Sequence, residues 1–545
     1  MPRRHALIAI GVVAAGTSAL LAGPPAGQPW DEPLVIGGDL VFPEGHRIPK
    51  AMTRTEARFI GEAGIVPARN ATAPPIGPVR GASEYEPMQG IILAWEGYTT
   101  ILRQMAAHIT TTGEADVYVA CDSSSEANSA RSSMISAGAD PDRIFTFVHS
   151  TDTVWIRDYG PRYIFECDCR AIVDHTYNRP RPNDDAWSSW FESQVGHAFY
   201  KHELVHGGGN FHLNGEGVSA ATRLINNENG WLSDADIIAI WRDYQNVETY
   251  LHDPFPTSVD STQHIDMWMQ MVGENEIIIS DWPTAAGSTQ DNICDWAAGY
   301  YQGLGWTVHR TPAFDSGWSH FTYTNMVICN NLVLLPVYDD ISDTYDNQAL
   351  ATVQAALPSH TVVQIVCDDL AYSAGVMHCI SMHMPKHAGG VYPTTCVRLP
   401  LAGSVYEAGQ TIVTNWISDD DTFNIVNVDI ELSTDGGATW TVIAAATQDD
   451  GFHSFAAPNI GTTMAQVRVI AHDGDGNVGG SAGVMFTIES DAMAGDANGD
   501  GFVDVNDLLL VVGQFGCASG CSADVDGDGA VTAADILVVL ANWSL

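Results

Sequence analysis

Lysine is nearly missing from this chain. Lys50, Lys201 and Lys386 are the only three in 545 residues, so 20 of the 23 basic side chains are Arg. Basic charge as a whole is scarce: 66 acidic residues leave a formal charge of −43. That excludes a general nucleic-acid binder, which needs Lys and Arg for phosphate contacts, and favours cationic partners and metal ions. Long apolar runs are missing too. Residues 6–22 form an Ala-rich stretch behind Arg3, Arg4 and His5, and nothing later gives 18 uninterrupted apolar residues. The start reads as a secretory signal (1–27), with no membrane span after its cleavage. Ten cysteines are present, but none belongs to a four-ligand zinc pattern. In an exported chain they permit disulfides, with Cys167/Cys169 and Cys517/Cys521 as close pairs of unreadable connectivity.

What is present points to several domains. At roughly 100–200 residues per domain the length exceeds one module, and 45% apolar against 16% charged residues supports a sizeable core. Residues 28–77 carry Pro and Gly with few periodic runs and read as a linker or propeptide. Over 78–392, short apolar runs (90–95, 116–120, 144–148, 277–280, 332–336) resemble buried strands. Stretches of helical spacing, such as 100–110 and 234–246, lie between them, which is a mixed α/β pattern. No repeat of fixed period is visible. Residues 393–490 alternate in runs separated by turn clusters and read as a small antiparallel β-sandwich acting as a structural or spacing module. The last segment, 491–545, has nine Asp and no Lys or Arg.

That tail contains two loops with calcium-ligand spacing. Asp496, Asn498, Asp500, Asp504 and Asp507 place oxygen side chains at positions 1, 3, 5, 9 and 12. Gly501 allows the bend and Phe502 offers its carbonyl. Asp524, Asp526, Asp528, Ala530, Thr532 and Asp535 repeat the pattern around Gly529. Position 12 is Asp instead of Glu and no helix precedes the first loop. The module resembles a type I dockerin, which implies bound Ca2+ and a cohesin-like surface or scaffold partner.

Four segments of the large domain concentrate reactive side chains beside aromatics: Trp155-Ile-Arg157-Asp158-Tyr159-Gly160-Pro161, His206-Gly-Gly208-Gly209-Asn210, Gln263-His264-Ile-Asp266-Met-Trp268 and Val376-Met-His378-Cys379-Ile. A Cys thiolate is a nucleophile and a nearby His moves its protons. Acyl transfer is the common use of such a pair, as in thiol proteases, yet two carboxylates would repel a developing oxyanion. They would instead grip a cation, and a planar guanidinium matches them in bidentate geometry. Bland alternatives stand beside each residue. Cys379 could be a buried apolar residue, Asp158 could pair with Arg157, and Asn325 could end a strand. The glycine turn could be only a turn. His264 lies two residues before Asp266, which on a strand puts both on one face. By the same logic His378 points away from Cys379 and has a structural role.

The WIRDYGP, QHID, TNM and MHC segments resemble the bacterial peptidylarginine deiminase and agmatine deiminase family over about residues 78–392. The secreted peptidylarginine deiminases, which carry an Ig-like domain after the catalytic one, are the nearer match. The resemblance implies a pseudo-fivefold α/β propeller of pentein type, followed by the Ig-like β-sandwich and the small helical calcium module. It also implies that Cys379 attacks the guanidinium, that His264 is acid and base, that Asp158 and Asp266 hold the substrate, and that Asn325 completes the site. No cofactor is implied for the chemistry. Trp155 is taken as substrate-binding. Arg179 and Arg181, in a Pro-stiffened segment resembling the carboxylate-binding stretch of enzymes that prefer C-terminal Arg, would bind a peptide carboxylate. The function expected is conversion of arginine in peptides or proteins to citrulline and ammonia. An exported deiminase of agmatine or another small guanidino compound, a non-catalytic calcium-dependent scaffold component and a thiol protease are the alternatives.

Overall fold

A computed structural model describes residues 30–61, 64–65, 70–317, 319–490 and 493–544; the expected signal peptide lies outside them. The apolar runs become strands Met88–Ala94, Asp116–Cys121, Ile144–Val148, Glu276–Asp281 and Leu332–Val337. Most are buried along much of their length, which is why they read as continuous apolar stretches. The periodic stretches become helices Thr99–Thr111 and Asp234–Gln245. The second starts at a capping box, in which Ser233 accepts from the Asp236 N–H and Asp236 from the Ser233 N–H, and stops at Asn246 in a left-handed conformation. Ile237, Trp241 and Tyr244, three and four apart, form its buried face.

A repeat emerges that no fixed sequence period announces. A short turn leads into a strand, which pairs antiparallel with the next; a helix then carries the chain to a third strand parallel to the second. Arg162–Glu166, Cys169–Tyr177 and Ala198–His206 form one such unit. His212–Leu213, Val218–Thr222 and Glu248–His252 form another. Met269–Gly273, Glu276–Asp281 and Thr307–Ser316 follow, and then Val327–Cys329, Leu332–Val337 and Thr361–Val366. The fifth unit joins the two ends of the domain. Met382–Pro385 pairs antiparallel with Met88–Ala94, which is parallel to Asp116–Cys121. This is the five-unit α/β propeller expected. Its units differ in loop and helix length, so their sequences keep no common period.

The following strands build two sheets around Trp416, Ile412, Val428, Ile430, Val467 and Phe486. The pairing is mostly antiparallel, but Val405–Glu407 runs parallel to Phe486–Glu489, a departure from the all-antiparallel expectation. This layer is fastened to the propeller. Cys167 is disulfide-bonded to Cys396, so neither it nor Cys169 uses its sequence neighbour. Arg170 forks onto Asp419 at 2.9 and 3.0 Å with both side chains fully buried. Cys517 and Cys521 do pair with each other.

Within 28–77, the stretch read as linker or propeptide, the described residues are ordered. They include the two-stranded hairpin Leu34–Ile36/Asp39–Val41 and helix Arg54–Ile60, which has its own capping box between Thr53 and Glu56. Among the described residues no helix is long and apolar enough to cross a membrane.

Candidate active site

Each of the five units contributes its lead-in turn to one centre. Asp158 sits in helix Ile156–Tyr159, ahead of the first unit. Gly208–Asn210 is a 3-10 turn ahead of the second, Ile265–Met267 one ahead of the third, and His378–Ile380 one ahead of the fifth. Asn325 immediately precedes Met326 and strand Val327–Cys329. Residues distant in sequence meet because the ring brings the same part of every unit to its axis.

Around the Cys379 sulfur, the Asn325 side-chain oxygen lies at 3.3 Å, an Asp266 carboxylate oxygen at 3.6 Å and the Met267 sulfur at 3.9 Å. The Asp158 carboxylate accepts from the Gly209 N–H at 3.1 Å and faces His264 Nδ1 at 3.5 Å. Neither His264 nitrogen has a hydrogen-bond partner. A Cβ on Gly209 would lie 2.9 Å from Asp158 Oδ1, Asp266 Oδ2 and His264 Nδ1, and one on Gly207 would lie 2.6 Å from His264 Cε1. The glycine turn is therefore the floor of the site, and side chains there would occupy it.

Two expectations need correction, and one of the bland alternatives falls. His264 and Asp266 are on a turn ahead of the strand, so they meet through the tight 3-10 geometry and not through strand alternation. For the same reason His378 does not point away. Its Nδ1 is 2.9 Å from Asp266 Oδ2 and its Nε2 is 2.8 Å from Glu84 Oε2. A carboxylate therefore faces each nitrogen of the His378 ring. Arg157 pairs with Glu84 at 2.6 Å and not with Asp158. Glu84, His378 and Arg157 thus form a buried chain behind Asp266. Glu84 stands outside every motif, and its only sequence signal was its place where the α/β pattern begins.

The largest surprise is Lys50. Its ammonium lies 3.0 Å from the Cys379 sulfur, 3.7 Å from Asp158 and 3.6 Å from Asp266. Burial works against its charge, but the two carboxylates outweigh burial and hold its pKa above the ordinary lysine value. Burial likewise opposes ionisation of Asp158, yet Lys50 and His264 pull that carboxyl down to about 2. Burial opposes ionisation of Asp266 too, and Lys50, His378 and His264 outweigh it and hold that carboxyl well below the usual carboxylate range. Burial is also the main reason that the Cys379 thiol is pushed up to about 12. The neighbouring Asp266 adds to this, and Lys50 only partly offsets it. The centre is thus built around a cation flanked by two ionised carboxylates.

Arg179 and Arg181 are neither free nor on an exposed loop. Arg179 Nε donates to the Lys50 carbonyl at 3.2 Å. Arg181, fully buried, donates to Glu56 at 2.7 Å and to the Pro49 carbonyl at 2.7 Å. Trp155 Nε1 donates to the Ile48 carbonyl at 2.8 Å. All three residues assigned to substrate therefore hold the N-terminal segment.

Both tail loops have the shape a hard cation needs. Gly501 and Gly529 take positive φ at the sixth position. Asp496 accepts from Gly499 and Gly501, Asp507 from Asn498 and Asp504, and Asp524 from Gly527 and Gly529. Asp524, Asp526 and Asp528 bring carboxylate oxygens within 4.8 Å of one another. A bound cation would offset these crowded like charges, and the oxygen-only donor set fits Ca2+.

Comparison with known proteins matches this picture. The model of the Porphyromonas-type peptidyl-arginine deiminase family matches residues 82–385, and that of the type I dockerin domain matches 494–542. An agmatine deiminase of Ectopseudomonas mendocina (strain ymp) is 26% identical over 301 residues, which cover 46% of this chain and 80% of that protein. One of Pseudomonas aeruginosa (strain LESB58) is 26% identical over 284 residues, 43% and 75% respectively. The solved agmatine deiminase of Enterococcus faecalis aligns with a TM-score of 0.50 at 19% identity, covering 58% of this chain and 100% of that one. A substrate-bound agmatine deiminase of C. jejuni aligns with a TM-score of 0.50 at 19% identity, covering 57% and 97%. At that identity the structures speak for the fold.

Proposed function

Because the chain belongs to the Porphyromonas-type peptidyl-arginine deiminase family, we propose that it hydrolyses the guanidinium of arginine in peptides or proteins to citrulline and ammonia. The observation that carries this reading is the cation held between Asp158 and Asp266 beside a sulfur nucleophile. A guanidinium entering that place supplies the positive charge that favours Cys379 thiolate over thiol. Sulfur then bonds to the guanidinium carbon. The tetrahedral adduct expels one nitrogen as ammonia, which takes its proton from His264. Water, losing a proton to the same His264, adds to the resulting thiouronium, and the C–S bond breaks to return the thiol and leave a urea group. Gly209, His378 and Glu84 act indirectly by fixing the two carboxylates.

A peptide substrate is favoured by how the site treats main chain. Arg179 binds the carbonyl of the residue whose side chain lies in the pocket. That oxygen becomes part of a carboxylate when the residue is C-terminal, and an arginine suits a carboxylate. Agmatine has neither group. The second reading, an agmatine deiminase, is favoured by the printed names of the relatives. Export through residues 1–27, Ca2+ in the two tail loops and docking to a cohesin-like partner complete the proposal. Release of citrulline from Arg peptides with free or blocked C-termini, compared with ammonia release from agmatine, decides between the readings. Reaction with agmatine alone would overturn the first. Cys379→Ala is expected to abolish release from every substrate.

A further inference from the structure

Cys379, His264, Asp266 and Asn325 have no solvent exposure and Asp158 has 1%. What covers the site is the segment around Lys50, and it does so in the manner of a substrate. Counted in bonds from Cα, lysine Nζ and arginine Cζ occupy the same position. The Lys50 nitrogen therefore stands where the guanidinium carbon of an arginine would, 3.0 Å from the sulfur, and between the carboxylates that would grip the guanidinium. The main chain on both sides is held as well. Trp155 takes the Ile48 carbonyl, Arg181 that of Pro49 and Arg179 that of Lys50, while the Lys50 N–H donates to the Ser373 carbonyl at 2.9 Å. Helix Arg54–Ile60 then locks the segment down through Glu56, whose carboxylate pairs with Arg181 and receives the Thr53 N–H.

Resting on the deiminase reading, we propose that residues 46–61 are a built-in pseudosubstrate that keeps the full chain latent, with Lys50 as the unreactive stand-in for arginine. An ammonium offers the right charge but no electrophilic carbon, so the Cys379 sulfur has nothing to attack and no nitrogen can leave. Substrate and Lys50 need the same space between Asp158 and Asp266, so activity requires the segment to leave. Cleavage between residues 61 and 72 would remove the covalent link between this segment and the rest of the chain and allow it to dissociate. The competing reading of the same contact is a permanent cation that activates Cys379, and it makes the opposite prediction.

The test places a specific protease recognition sequence between residues 61 and 70 of the full chain. Citrulline release from an Arg peptide and alkylation of Cys379 by iodoacetamide are then measured on three forms: uncut, cut and separated on a sizing column, and Lys50→Ala. A segment closed 90–99% of the time reduces apparent kcat/KM by about 10- to 100-fold. Cutting is therefore expected to raise both readouts by that order. A synthetic peptide of residues 44–61 is expected to inhibit the cut enzyme competitively, and less strongly with Lys50→Ala. If neither the cut nor Lys50→Ala raises activity or alkylation, or if either lowers them, the proposal is overturned. Alkylation that rises on cutting without citrulline from any guanidino substrate would keep the latency and overturn the deiminase reading instead.

Discussion

The Gly209 N–H donates to Asp158 Oδ1 at 3.1 Å while the Gly209 Cα faces three reactive groups at once. A methyl at this position would press on Asp158, Asp266 and His264 together, each 2.9 Å away. Gly209→Ala is therefore expected to retain the fold and lower kcat/KM about 100-fold, the cost of displacing reacting groups by roughly 1 Å. Steady-state kinetics beside a circular dichroism spectrum check this; unchanged kcat/KM would mean that the turn does not define the site.

Lys50→Arg turns the covering segment into a substrate. Its guanidinium carbon would lie at the sulfur's attack distance of about 3–3.5 Å. Peptide mass mapping is expected to find citrulline at position 50 in Lys50→Arg, and intact arginine there in Lys50→Arg/Cys379→Ala. Arginine left intact in a Lys50→Arg protein that processes added peptide would contradict the placement of Lys50.

Acid should loosen the centre with a predictable sign. Asp158 titrates at about 2 in the fold against 3.8 ordinarily, so between these values the unfolded chain binds more protons. Stability therefore rises with pH through that window, and a contribution of about 2 kcal/mol is lost as pH falls from 3.8 to 2. Denaturation midpoints across pH 2–5 should fall more gently in Asp158→Asn than in the natural protein. Parallel curves would refute the assignment.

Asp419 ties the β-sheet layer to the propeller by receiving the Arg170 fork, and burial is outweighed there by Arg170 and His197, which keep the carboxyl ionised. Asp419→Ala leaves a buried guanidinium unpaired, which costs about 3–5 kcal/mol. The first thermal transition should drop in temperature, while Ca2+ binding by the tail stays as it was. An unshifted first transition would show that the Cys167–Cys396 disulfide alone holds the layers.

Much of the architecture was legible because buried parallel strands must be apolar and the amphipathic helices carry caps such as Ser233 and Asp236. The segments bearing Cys379, His264, Asp158, Asp266 and Asn325 were conspicuous because chemistry concentrates polar groups beside aromatics, and the structure brings all five together. Strand alternation failed at His264 and His378 because both lie on turns just ahead of strands, where side-chain direction follows the turn. Glu84 and Lys50 were invisible as site residues. Each lies far along the chain from what it contacts, and a lone Glu or Lys carries no local pattern. Lys50 had only its rarity to mark it.

The pairing of Met382 with Ile92 also sets an order of assembly. Closing this ring joins strands nearly three hundred residues apart, and so long a loop pays its closure entropy before any contact rewards it. Cys379 is carried on the turn just ahead of that closing strand. As the chain is synthesised, the covering segment with Lys50 is made well before Cys379, which completes the propeller. The sulfur takes up its reactive setting only when the domain completes, and the lysine that faces it is already there.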